Sequence, residues 1–251
     1  FGTGFEQARK ASQYAVELAP DLAEGYLTLS FIQLNFDRDV TAASAAAERA
    51  LALNPGSFQV QRHYSTLKSS MGQHALAIAA AEKAVALDPI APEAHVSLAA
   101  ALQNARRFDA AESVARRAVT LAPGRPTVHG TLGFGLFLQG RPDEALAEVE
   151  LESTDWVRMT GRAMVFATTG KPDLARAELS AMQEKFGDAA SYQYAEINAL
   201  LGDHDEAFRW LATARRVGDP GLMSSVLVDP VLDPLRKDPR FDELLRRRAD
   251  K

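Results

Sequence analysis

Five histidines are the first residues to weigh for chemistry: His63, His74, His95, His129 and His204. His95 and His129 stand 34 residues apart, and no two histidines share a helix at ligand spacing. A metal site needs a third ligand and closer spacing, so packing or surface histidines are the expected reading. Carboxylates are many but scattered. Asp143-Glu144, Asp173, Asp203 and Asp205-Glu206 flank turns, where negative charge favours a helix start. There is no cysteine, which removes thiolate metal sites, disulfides and cysteine nucleophiles. Gly2-Thr3-Gly4 lacks the Gly-Lys pattern of a phosphate loop, and Gly133-x-Gly135 lies inside a helical run. No serine–histidine–aspartate pattern sits in a strand–turn–helix context. The residues therefore imply no enzyme and no cofactor.

The elements that would position any site are helical. The chain has 251 residues, 47% of them hydrophobic and 24% charged, which places it among globular proteins. Lysine plus arginine number 28 and aspartate plus glutamate 33, for a net charge of −5. That balance argues against general nucleic-acid binding, which needs a basic face. The one basic run, Arg246-Arg247-Arg248, reads as favourable charge at the end of a last helix. No apolar stretch approaches the ~18 residues of a membrane span, and no signal peptide is visible. A cysteine-free chain suits the cytoplasm and equally a periplasm; the cytoplasm is the expectation. The chain opens on Phe1, which suggests a piece of something longer.

Alanine occurs 45 times, roughly twice its usual share, and favours helix. Ala43, Ala77, Ala111 and Ala145 recur every 34 residues. Pro20, Pro55, Pro89 and Pro123 close helical runs at spacings of 35, 34 and 34. Within each run three small residues share one face at i, i+4 and i+7: Ala43, Ala47 and Ala50; Ala77, Ala81 and Ala84; Ala111, Ala115 and Ala118; and Ala8, Ser12 and Ala15. Two antiparallel helices can approach closely along such a face, and the proline then ends the unit.

This pattern resembles the tetratricopeptide repeat, a helix–turn–helix unit of 34 residues. Leu98-Ala99 with Leu102, and Leu132-Gly133 with Leu136, are similar to the large–small and following large residues of its first helix. The resemblance implies an all-α, right-handed α–α superhelix of about fourteen helices with a C-terminal capping helix. A half unit covers 1–20. Six more cover 21–55, 56–89, 90–123, 124–153, 154–187 and 188–218, and the half unit counts as unit one. The turn between the helices should carry glycine five residues before the alanine. Gly72, Gly140, Gly170 and Gly202 fit, whereas Arg38 and Arg106 depart and should need another conformation. Ala145 to Ala175 is only 30 residues, and the segment after Val149 lacks the Leu-x-Pro ending. A short second helix and a change of superhelix curvature are expected there.

Residues 219–251 are not a repeat. Asp238 is a plausible N-cap with Pro239 at the first helical position, and Phe241, Leu244 and Leu245 form an apolar stripe suited to a cap. The phrase from Leu232 to Phe241 is similar to the ends of tetratricopeptide regions in multidomain bacterial signalling proteins. There the upstream part is a nucleotide cyclase, a winged-helix regulator or a kinase.

The resemblance further implies that the first helices line a concave groove taking a protein or peptide. Its candidates are Arg62, Thr66 and Ser69 of unit three, Gln103 and Asn104 of unit four, Phe134 and Phe137 of unit five, and Tyr192 and Glu196 of unit seven. Phe134 and Phe137 share a face and are the best apolar anchor. Gly130 and Gly133 should leave room for an incoming side chain, with Gln103 and Asn104 holding a peptide backbone. A lone Arg62 does not make the terminal-carboxylate clamp of chaperone-binding members. A homo-oligomeric scaffold, such as a homodimer, is the alternative, and an enzyme a remote one.

Overall fold

A computed structural model describes residues 2–246. It contains fifteen α-helices and two 3-10 turns, with no strand among the described residues. They are α1 (Gly2–Leu18), α2 (Ala23–Asn35), α3 (Val40–Leu53), α4 (Phe58–Ser70), α5 (His74–Leu87), α6 (Pro92–Asn104) and α7 (Phe108–Leu121). Next come α8 (Val128–Leu138), α9 (Pro142–Glu150), α10 (Asp155–Thr168), α11 (Pro172–Phe186), α12 (Ser191–Leu201) and α13 (His204–Val217). The chain ends on α14 (Pro220–Ser225) and α15 (Pro239–Arg246), one helix more than the repeat count suggests. The 3-10 turns are Gly187–Ala190 and Pro230–Leu235. Of the basic run, Arg247 and Arg248 lie outside the described residues.

From α2 to α13 the helices pack in antiparallel pairs and the pairs stack into a solenoid. The alanine faces explain it. Ala43, Ala47 and Ala50, Ala77, Ala81 and Ala84, and Ala111, Ala115 and Ala118 are all at most 1% exposed. A methyl group there lets backbones approach where a longer side chain would hold them apart. Leucine and proline then mark the exit, since α3, α5 and α7 stop at Leu53, Leu87 and Leu121. The acidic pairs sit where their charge helps: Asp143-Glu144 and Asp205-Glu206 occupy the first turns of α9 and α13.

Two turns correct the sequence reading. Arg38 and Arg106 have φ of +56° and +59°, the left-handed conformation that Gly72, Gly140, Gly170 and Gly202 adopt at φ +72° to +79°. The geometry of the turn is imposed by the stack, and the arginines accept it at a steric cost of about 1–2 kcal/mol each.

The break after unit five is a helix of nine residues, α9, against fourteen in α3, α5 and α7. Glu152 takes over there. Its buried carboxylate accepts backbone N–H bonds from Thr127 (3.0 Å), Gly130 (2.9 Å) and Thr154 (2.8 Å). One side chain thus caps α8, whose Thr127 is left-handed at φ 72°, and α10 together. These bonds outweigh burial and hold the Glu152 carboxyl below its ordinary value.

The last segment both caps and returns. Phe241 of α15 is buried with Leu211, Ala214, Leu232 and Leu235 over unit seven. Asp238 accepts from Arg240 N at 2.9 Å, as its N-cap position requires. Upstream of it α14 crosses to α2 and α4, where Met223 packs with Leu34, Ala43, Ala47 and Leu67. That return leaves no periodic signal.

Candidate functional site in the concave groove

The first helices α4, α6, α8, α10 and α12 line the groove, which holds two cavities. The polar one, about 330 Å³, lies between α4, α6 and the start of α8, with Ser224 and Ser225 of α14 on its wall. Arg62, Thr66, Ser69 and Asn104 all line it. Arg62 is half-buried, its Nε has no hydrogen-bond partner, and it makes no ion pair among the described residues. Burial lowers its pKa below the ordinary arginine value, which is high enough to leave it charged. Beneath it, Ser65 is 1% exposed and its Oγ is also unpartnered. Neighbouring His63 bonds Ser30 Oγ at 2.9 Å, and burial with Arg62 nearby depresses it to about 4, so it is neutral. The other members are already engaged. Thr66 donates to Arg62 O at 3.1 Å, and Asn104 Nδ2 donates to Ser69 Oγ at 2.9 Å. Glu93 and Arg125 pair on the far wall.

The second cavity, about 260 Å³, is apolar and lies between α8, α10 and α12. Phe134 and Phe137 border it, with ring centroids 6.4 Å apart and planes 19° from parallel. Both are half-buried: their inner edges pack on the cluster around Met164 and Ile197, and the rest faces the cavity. Trp156, Thr160 and Met164 complete the wall. Gln103 is buried at its edge and donates Nε2 to Thr131 O at 2.9 Å.

Here the structure corrects three expectations. Gly130 and Gly133 border the cavity, but the space a side chain of their own would take is already filled. A Cβ on Gly130 would stand 2.3 Å from Val157 Cγ1, and one on Gly133 would stand 2.8 Å from Val149 Cγ2. These glycines admit the valines of neighbouring helices. Gln103 and Asn104 spend amide donors inside the protein. Tyr192 is no groove residue: it is 2% exposed, its ring lies against Gly221, and its hydroxyl donates to Asp229 at 2.8 Å. Glu196 is buried yet borders the apolar cavity. Burial and the neighbouring Asp229, which it bonds, push its carboxyl well above the ordinary range. The sequence missed Trp156 and Met164, whose helix α10 follows the shortened α9 and lost its place in the 34-residue register.

The two equivalent histidines hold no common ligand. His95 Nε2 bonds Pro89 O at 3.0 Å and His129 Nδ1 bonds Glu148 at 2.8 Å. No helix of the described residues is long and apolar enough to cross a membrane.

Residues 66–126 and 160–221 match the family model described as tetratricopeptide repeat. Those two stretches carry tetratricopeptide repeats. No curated protein matches the chain. Among solved structures, this helical solenoid is similar to TTC0263, a thermophilic tetratricopeptide repeat protein in Thermus thermophilus. The TM-score is 0.61 at 21% identity, over 77% of this chain and 99% of that one. It is similar to PilW, a type IV pilus biogenesis factor, with TM-score 0.61 at 18% identity, over 74% and 87%. It is also similar to PilF of Pseudomonas aeruginosa, with TM-score 0.56 at 16% identity, over 78% and 90%. At these identities the likeness is one of fold.

Proposed function

We propose that the chain is a non-enzymatic scaffold whose concave groove docks an extended protein segment. The observation that carries this reading is the apolar cavity walled by Phe134, Phe137, Trp156 and Met164. A cavity of that size takes one branched or aromatic side chain, and concave apolar sites with few polar groups are where ligands seat. The polar cavity beside it offers an unpaired cation, Arg62, to an acidic or carbonyl-rich stretch of the same segment.

Selection from a library of random displayed peptides tests it. Binders should share a large apolar residue. Phe134→Ala and Phe137→Ala should each weaken them by about thirtyfold, the ~2 kcal/mol of an anchor. Leu174→Ala, on the exposed face of α11, is the control and should leave binding unchanged. Equal losses in all three variants, or no enrichment, would refute the site.

The resemblance of the Leu232–Phe241 phrase favours a place for this scaffold in a larger bacterial signalling protein, where it would regulate an attached domain. The full gene product decides that. Sedimentation over a range of concentrations decides between a monomeric module and a homodimer.

A further inference from the structure

The turns inside units two, three and four lie at residues 38, 72 and 106, one repeat apart. The first meets the last turn of α13 and the other two meet the segment that follows it, in order. Arg38 donates to Arg215 O. A Cβ on Gly72 would stand 3.7 Å from Leu227 and 3.9 Å from Val228. Arg106 Nη2 donates to Asp233 Oδ1 at 2.8 Å. The returning chain therefore tracks along the turn edge of the first units. Between these points α14 dips into the groove, burying Met223 and placing Ser224 and Ser225 on the wall of the polar cavity.

The two arginines are the telling residues. Both occupy left-handed positions where the other turns have glycine, and a side chain there is strained. Nothing in the turn itself repays that strain. What arginine adds is reach: its partners are 177 and 127 residues away in the chain. The root of the segment is firmer. Asp219 accepts from Tyr192 N at 3.0 Å, and Asp229 accepts from the Tyr192 hydroxyl at 2.8 Å. Leu222, Val226, Leu232 and Leu235 are buried on the unit-seven side, which anchors the segment there. Toward units two to four the crossing is slight, a helix of six residues with one methionine inserted among α2, α3 and α4. A contact with so few buried apolar side chains opens at a fraction of the global cost.

We propose that residues 219–235 carry a releasable strap: an internal occupant of the groove, rooted on unit seven and fastened by Arg106 directly and by Arg38 through the end of α13 beside its root, whose crossing withdraws from units two to four to admit a partner. The admission of a partner rests on the docking function proposed above; the opening of the strap does not.

The cysteine-free chain makes single thiols clean reporters. In the full chain carrying Met223→Cys, N-ethylmaleimide should react at least a hundredfold faster than in one carrying Ala115→Cys, a core position in unit four. Adding Arg38→Gly with Arg106→Gly should speed the first about tenfold and leave the second unchanged. Since Met223→Cys itself loosens the crossing, hydrogen exchange on the chain without it is the second measurement. The two arginine substitutions should speed exchange in 219–227 and not in α6 or α7. Equal thiol rates, or exchange unmoved or slowed by the glycines, overturn the strap, because relief of strain alone slows opening. A synthetic peptide of residues 219–235 probes the vacated groove. It should bind the double-glycine variant at least tenfold tighter than the unaltered chain, and equal affinity overturns the groove-occupant role. A failed strap leaves the Phe134 and Phe137 test standing, and the converse holds.

Discussion

Substituting Glu152 isolates the device that replaces a missing helical turn. The carboxylate is 2% exposed and takes three backbone N–H bonds from two helix starts. In Glu152→Ala all three donors lose a charged acceptor, and Thr127 keeps its left-handed strain without its bond. Bonds to charged groups contribute about 1.5–3 kcal/mol each, and unburying the carboxylate returns part of that. A net cost of about 3 kcal/mol follows. Glu152→Gln should cost about 2 kcal/mol, because its amide nitrogen meets a donor. Solenoids unfold by segments, so the assay is hydrogen exchange read residue by residue. The Thr127, Gly130 and Thr154 amides should exchange about a hundredfold faster in Glu152→Ala, at ~1.4 kcal/mol per decade, while α4 and α5 are unmoved. The folded pKa lies below the unfolded one, so this stability is present above the unfolded carboxylate value and is lost as pH falls through the folded one. A change of less than threefold would refute the cap.

Glu196→Gln acts in the opposite sense. Burial and Asp229 raise the folded carboxyl, with Tyr192, Asp219 and Arg236 also bearing on the cluster, so its stability is lost as pH rises from the unfolded value through the folded one. The glutamine variant should gain on the unaltered chain by up to about 1.4 kcal/mol per pH unit in that window; a gain that is flat with pH in urea titrations contradicts a raised Glu196 carboxyl. Gly161→Ala would put a Cβ 2.6 Å from Val149 Cγ2, and overpacking of that kind should cost about 1–3 kcal/mol. Paired Val149→Ala should restore most of it, and no rescue would show that the strain lies elsewhere.

The repeats were legible because their cause is local and recurs. Each helix pair needs small residues at one face, and Ala77, Ala81 and Ala84 announce that need every 34 residues. What escaped the sequence had one of two origins. Glycine is ambiguous: Gly130 and Gly133 admit Val157 and Val149, a closeness that composition cannot tell from an empty pocket. The rest depends on partners far along the chain. Arg38 looks like a departure from the turn pattern until Arg215 is beside it. Tyr192 occupies a groove position by register, but the returning chain covers it through Gly221 and Asp229.

A linear stack of repeats has two loose ends, and thermal fraying eats inward from each. Here the contacts from Arg38 to Arg215 and from Arg106 to Asp233 join the far end to the near one, so that the chain is topologically a hoop with a clasp. Stability then ceases to be a sum over adjacent neighbours: damage in unit seven is felt in unit two, and swapping Arg38 and Arg106 for glycine would perfect each unit while unclasping the whole. Regularising these turns toward a common repeat would thus improve the parts and loosen the assembly.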